Sequence, residues 1–411
     1  MTSKLSILPS GLLAIYLSIP FFRPILIAHH AILPVYVLFG LAFLVLLINA
    51  KKAIKLSNPK QTILLLSYAI VSIIVSFFEI TEPQLDYIGL LCFLPISYFL
   101  GLWQGKYGAT HSFFRTMALG FLPVVLYVIY QLSKNSFSYN TYYHWSNAAY
   151  KIDYLTMSLF AVILMIYFFF KGRNFIEKYG LSLFFLGFIT MSGARYSIIF
   201  SALAMTYILF HSAKKSPLKL TLGLLTSLVL MVIVLLFDKS WLTDRSDLVS
   251  YSLFRIENMF GNDSSIKGRQ VLIQKSSEVI SEHFFTGVGA GGAGSALHSN
   301  YPHNLLLEAF IDGGVFAALP LLIFLFISIY QLIRSKHEDK PWLMLLVLYL
   351  LGGFLKSFSI YEARILFFFI GYALTLKPEQ PSIPSRLLLT PLKNEPLIQR
   401  YSRLGQSISG K

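Results

Sequence analysis

The chain is poor in charge. Of its 411 residues only 13% are Asp, Glu, Lys or Arg, about half the share of a soluble domain. Hydrophobic residues make up 55% and aromatic residues 16%. A soluble fold of that composition lacks the polar side chains to cover its surface, and the same numbers exclude a disordered chain or a disulfide-built secreted scaffold. Cysteine is almost missing: Cys92 stands alone, so no intramolecular disulfide forms, and its apolar sequence neighbours predict a small buried hydrophobe. No small-residue cleavage site follows the apolar stretch after Lys4, so that stretch reads as a first membrane helix. Internal repeats are missing as well. So are a basic helix, a finger and an aromatic–basic platform, so the net charge of +15 is not read as a nucleic-acid footprint.

What is there is apolar length. A spanning helix needs roughly 20 mostly apolar residues, and about twelve such runs occur, at roughly 6–22, 31–50, 62–78, 87–103, 116–133, 153–170, 179–193, 196–213, 218–237, 308–333, 341–355 and 358–376. The fold class expected is therefore all-α, a polytopic integral membrane protein of about 12 transmembrane helices. Its connections alternate in sign. One set, with both termini, carries Lys51, Lys52, Lys55, Lys106, Arg115, Lys171, Lys214 and Arg334 among others and sums to about +17; the opposite set sums to about −2. Basic short loops stay cytoplasmic, which places both termini inside and turns the excess charge toward anionic headgroups. The expected organisation is an N-terminal group of about six spans (1–178), a second membrane region (179–376) with a large outer loop (238–307), and a basic, Pro-containing cytoplasmic tail (377–411).

The polar chemistry gathers on the outer side. Around residues 134–152, Tyr142, Tyr143 and Trp145 form an aromatic cluster with amide and hydroxyl neighbours; an interfacial aromatic belt and a sugar-stacking platform are the two readings. The 238–307 loop is too long to be an ordinary connection. Within it Arg269 to His283 predicts a surface helix with Val271, Leu272, Val279 and Ile280 on one side. Next comes Gly287-Val288-Gly289-Ala290-Gly291-Gly292, which formally matches a dinucleotide fingerprint but follows no strand; a hinge beneath the loop helix is the better reading. The loop ends at Pro302, and a membrane helix is expected from near His303, with Glu308 and Asp312 in its first turns. Acids at such depth are costly and usually functional. Gly313-Gly314 then permits close approach by a neighbouring helix. Arg195, Arg255 and Arg269 are cations on the same outer side, and a guanidinium fork suits a diphosphate. His298, His303 and Glu308 lie five residues apart, but Pro302 separates the histidines, so no helical face presents a zinc set.

His303-Asn304, nine residues, then Gly314 resembles the signature of the O-antigen ligase/polymerase family of membrane glycosyltransferases. Arg269…Gly287-Val288-Gly289 is similar to that family's outer-loop core, in which an arginine starts a helix that ends in Gly-x-Gly. Ser192-Gly193-Ala194-Arg195 resembles its Ser-Arg turn between two spans, with two residues inserted, and Ala317 stands where the family usually has Gly, Thr or Tyr. The specific resemblance covers roughly residues 180–320. It implies a GT-C-like helical enzyme of the bacterial inner membrane with a periplasmic site and no metal or other cofactor. The donor would be a glycan on undecaprenyl diphosphate, and the acceptor a sugar hydroxyl on lipid A–core or, in a polymerase, on another lipid-linked glycan. His303 would be the base, with Arg195 and Arg269 on the diphosphate, supported by Asn304, Glu308, Gly314 and Arg255.

Two other classes fit the span count: a lipid-glycan flippase or transporter, and a non-catalytic scaffold of envelope assembly. Against transport, no repeat pair is visible, and the polar residues sit at one face rather than at the midplane where transporter sites form.

Overall fold

The structure, a computed structural model, describes residues 6–28, 33–79, 85–133, 154–191, 194–213, 264–297 and 301–375. Among the described residues every regular element is helical. In order these are α1 (Ile7–Ala28), α2 (Leu33–Leu56), α3 (Pro59–Glu79), α4 (Leu85–Tyr107), α5 (Thr110–Ser133), α6 (Tyr154–Lys171), a π turn (Ile176–Leu181) running into α7 (Ser182–Met191), and α8 (Arg195–Ala213). Then follow α9 (Ser264–Glu282), the single turn α10 (Ala293–Ala296), α11 (Leu305–Arg334), α12 (Lys340–Lys356), a 3-10 turn (Ile360–Glu362) and α13 (Arg364–Leu374). The apolar run at 218–237 and the tail 377–411 lie outside the described residues. Three described segments are long and apolar enough to cross a membrane: Pro59–Phe78, Tyr87–Tyr107 and Leu305–Arg334.

Local sequence explains the boundaries. Asn58 caps α3, its Oδ1 accepting Lys60 N–H at 3.1 Å, and Pro59 fills the first helical position where no donor is needed. Asn304 caps α11 in extended conformation. Ser359 caps the 3-10 turn by accepting Tyr361 N–H at 3.3 Å, so the last span expected over 358–376 begins as regular α-helix only at Arg364. The seventh, expected from 179, starts earlier through the π turn at Ile176.

The core is aromatic and closely crossed. Gly101 and Gly371 let α4 and α13 meet backbone to backbone: a Cβ on Gly101 would lie 2.0 Å from Phe368 O, and one on Gly371 would lie 2.2 Å from Tyr98 O. Every residue of α13 from Arg364 to Ala373 is buried. Phe114 stacks on Tyr167 at 3.7 Å between ring centres, and Trp342 meets both edge-on. Cys92 corrects the sequence expectation, because it is exposed. At 3.6 residues per turn it lies roughly 100° around α4 from buried Leu91.

The two ends of α12 hold different chemistry. At its N-terminal end Lys171 pairs with Asp339 and, at 3.4 Å, with Glu338. Close by in sequence, the π turn holds Glu177 against α5, where Arg115 Nε donates at 3.0 Å and Arg173 N–H at 2.9 Å. The C-terminal end of α12, one helix length away, gathers the motif residues.

Candidate functional site

Three successive residues, Leu355, Lys356 and Ser357, form the floor of the site. Asn304 reaches the first: its Nδ2 donates to Leu355 O at 2.8 Å while its Oδ1 accepts the N–H groups of Leu306 and Leu307 at 2.9 and 3.1 Å. One side chain therefore caps α11 and ties it to α12. His303 reaches Ser357, with Nδ1 3.1 Å from the carbonyl oxygen. Tyr301 Oη donates to the same oxygen at 3.3 Å, and the Tyr301 ring lies 4.3 Å from the imidazole. A carbonyl oxygen only accepts, so Nδ1 carries the proton and the neutral ring has its lone pair on Nε2. His303 adopts φ +57°, a left-handed conformation that costs an L-residue about 1–2 kcal/mol. Such strain is typical of residues whose aim is functional.

Arg195 is the first residue of α8, which packs on α12 through the next residue. Its neighbour Tyr196 donates to Tyr349 O at 2.9 Å and stacks on the Tyr349 ring at 5.4 Å. Lys356 Nζ lies 5.5 Å from the Tyr196 ring centre. α7 ends at Met191 and α8 begins at Arg195, at the boundary expected between spans seven and eight.

Behind this floor the residues 357–361 are clamped to α11. Glu308, 1% exposed, accepts Ser359 Oγ at 2.7 Å and Ile360 N–H at 2.6 Å. Asp312, one turn further, accepts Tyr361 Oη at 2.7 Å, and that hydroxyl in turn accepts Gly291 N–H at 2.6 Å.

The glycine segment of the loop is not a hinge. It docks on α11 at a break in the helix, where Gly313 (φ −142°, ψ 21°) and Gly314 (φ 60°, ψ −160°) leave helical geometry. Val288 N–H donates to Ile311 O at 2.7 Å, Gly289 N–H to Asp312 O at 3.0 Å, and Val315 N–H to Phe284 O at 2.8 Å. A Cβ on Gly287 would sit 2.5 Å from Ile311 O, and one on Gly314 would sit 2.2 Å from Phe285 O. Two glycine motifs far apart in sequence thus make one contact. The partner at Gly314 is loop backbone rather than the neighbouring helix expected, while Gly313 faces Ser72 of α3.

Arg269 also departs from expectation. It does not start its helix: α9 begins at Ser264, which puts Arg269 in the second turn, half-buried. It stands apart along α9, ten residues and about 15 Å of helix before Val279, where α9 packs with Ile280 and Val288 on Ile311 and Leu297. Arg255, Tyr142, Tyr143 and Trp145 lie outside the described residues. The sequence reading missed Lys356, Ser357, Ser359 and Tyr361. Their only signal was a Ser-x-Ser between two apolar runs, and Ser357 and Ile360 act through backbone atoms, which composition does not show.

Residues 180–322 match the family model described as O-antigen ligase, close to the 180–320 span of the resemblance. No curated protein matches the chain. The matched span contains the Arg195 turn, α9, the docked glycine segment, His303-Asn304 and the broken helix. Over residues 180–322 the chain carries a domain of the O-antigen ligase/polymerase family.

Proposed function

We propose that the chain is an inverting membrane glycosyltransferase at the periplasmic face of the bacterial inner membrane, an O-antigen ligase that moves a glycan from undecaprenyl diphosphate to a sugar hydroxyl of lipid A–core. The observation that carries this reading is the Nδ1 bond of His303 to Ser357 O, within the matched family span, which leaves the basic lone pair on Nε2. About twelve spans with both termini cytoplasmic put the 238–307 loop, Arg195, Arg269 and the 355–361 connection on the outer side. The acceptor O–H gives its proton to His303 Nε2 as its oxygen bonds to the anomeric carbon. The bond from that carbon to the diphosphate oxygen breaks, its electron pair leaves with the diphosphate, and the configuration inverts. A sugar hydroxyl is a poor nucleophile, so a positioned base lowers the barrier. The leaving group is already a stable anion, and Arg195 and Arg269 neutralise its growing charge.

The test uses purified protein in lipid, a lipid-linked donor and lipid A–core, with products sized on a gel. His303→Ala should lower transfer by about 10²–10⁴-fold at unchanged expression, and Arg269→Lys should raise the donor KM or lower kcat. Transfer that survives His303→Ala removes the base assignment. A product ladder on the carrier lipid instead of single transfer to core means a repeat-unit polymerase with the same chemistry.

A further inference from the structure

The break in α11 sits beside a buried group of oxygen atoms that the transfer chemistry does not use. Glu308 and Asp312 lie one turn apart on the same face of α11, 1% and 0% exposed. Among the described residues no lysine, arginine or histidine pairs with either carboxylate. Both oxygens of Glu308 are engaged, by Ser359 Oγ and Ile360 N–H. Asp312 uses only one: Oδ2 accepts Tyr361 Oη, while Oδ1 is buried without a hydrogen-bond partner. The neighbouring Gly291 N–H donates to Tyr361 Oη and also faces the Asp312 carboxylate. Opposite, on α3, the hydroxyls of Tyr68 and Ser72 are also fully buried and face each other, with no bond to another element. They are one turn apart on that helix, and Ser72 Oγ lies 3.1 Å from where a Gly313 Cβ would stand. The other ionisable groups facing the pair are Tyr361 and, toward Glu308, Glu362; neither supplies positive charge. Tyr87 closes the far side, edge-on to Tyr361 at 4.6 Å.

Two buried carboxylates without a cation are costly, because burial strips their hydration and the hydrogen bonds from Ser359, Ile360 and Tyr361 bring no opposite charge. A bridging water would satisfy hydrogen bonds but would bring no charge. The open donors are all hard oxygens, which suit alkali and alkaline-earth cations. A calcium ion takes six to eight such ligands, and here one carboxylate oxygen and two hydroxyls offer at most one formal charge. Broken helices in membranes are also where sodium sites form, since unwound backbone turns its carbonyls inward. We propose that Asp312 Oδ1, Tyr68 Oη and Ser72 Oγ form a buried site for one sodium-sized alkali cation, which offsets one of the two acid charges and pins α3 to the broken helix under the docked loop.

The full chain in lipid nanodiscs tests this through its thermal unfolding midpoint, with NaCl replacing N-methylglucamine chloride at fixed ionic strength and pH. The midpoint should rise saturably by a few degrees in sodium, because a ligand that binds only the folded state stabilises it. Asp312→Asn should respond to neither salt, since the neutral amide needs no cation. Tyr68→Phe should fold and shift half-saturation several-fold upward; it decides the matter if Asp312→Asn does not fold. Equal midpoints in the two salts for the unaltered chain overturn the proposal in favour of a proton or water, as does a sodium response kept by Asp312→Asn or a half-saturation unchanged in Tyr68→Phe.

Discussion

Replacing Gly314 by alanine probes the docked loop, and the structure sets its size. Gly314 has φ +60° and ψ −160°, a region that is essentially glycine-only and costs other residues about 1–3 kcal/mol. The added methyl would also meet Phe285 O at 2.2 Å and Thr286 N at 2.6 Å. These are backbone atoms that cannot rotate away, and overpacking of this kind costs about 1–3 kcal/mol. Against this stand the three backbone bonds that hold the loop, from Val288, Gly289 and Val315, each worth about 1 kcal/mol net. The two sides are of similar size, so the loop should lift rather than α11 refold around the methyl. Hydrogen exchange by mass spectrometry in lipid should then show faster exchange at residues 284–292, a lower unfolding midpoint and reduced transfer. Gly268→Ala is the internal control. It sits on an exposed face of α9 with nothing within 4 Å of the added atom, so it should stabilise by about 0.5–1 kcal/mol. Unchanged exchange at 284–292 in Gly314→Ala, with a midpoint equal to the unaltered chain, would refute the docking argument.

Asn304 does two jobs that substitution separates. Asn304→Ala removes the cap, worth about 1 kcal/mol, and the tie to Leu355 O; Asn304→Asp keeps the cap but sets a carboxylate against that carbonyl. Both should lower transfer, with Asn304→Asp the more stable in thermal unfolding; equal stabilities would show that the cap contributes nothing. Glu177 predicts a pH dependence at the other end of the molecule. Burial raises its pKa, but the Arg115 hydrogen bond and the Arg173 N–H outweigh this and hold it below the ordinary value. A depressed carboxylate stabilises the fold above its unfolded pKa of about 4.3 and loses that contribution as pH falls through the folded value. The unfolding midpoint of Glu177→Gln should thus lie below that of the unaltered chain at pH 6, with the gap closing toward pH 3; a pH-independent gap contradicts the linkage.

What the sequence made legible follows from which atoms carry each interaction. Helix positions came from apolar length, and the described helices other than α9 and α10 fall on the runs predicted for them. His303, Asn304, Glu308 and Arg195 were also legible, because side chains that polar are expensive at a membrane edge and stand out from an apolar background. Their partners did not stand out. His303 and Asn304 bond the carbonyls of Ser357 and Leu355, Glu308 bonds the amide of Ile360, and the Gly-x-Gly segment bonds the carbonyls of Ile311 and Asp312. Each is a backbone group that every residue type owns, so no residue identity announces it. The glycines show the same limit from the other side. Gly287 and Gly314 were noticed separately, as a hinge and as a helix-packing site, because flexibility and close approach select the same residue. Only the backbone contact tells the two apart, and it assigns close approach to both: the loop motif and the helix motif are two halves of one joint. The expected arginine at the start of a helix failed for a related reason. Ser264–Gly268 has poor helix propensity, yet α9 extends through it, and Arg269 is carried into the second turn. Its distance from the imidazole is then set by how α9 docks at Val279 and Ile280, so the geometry proposed for the diphosphate depends on the glycine joint as much as on the arginine itself.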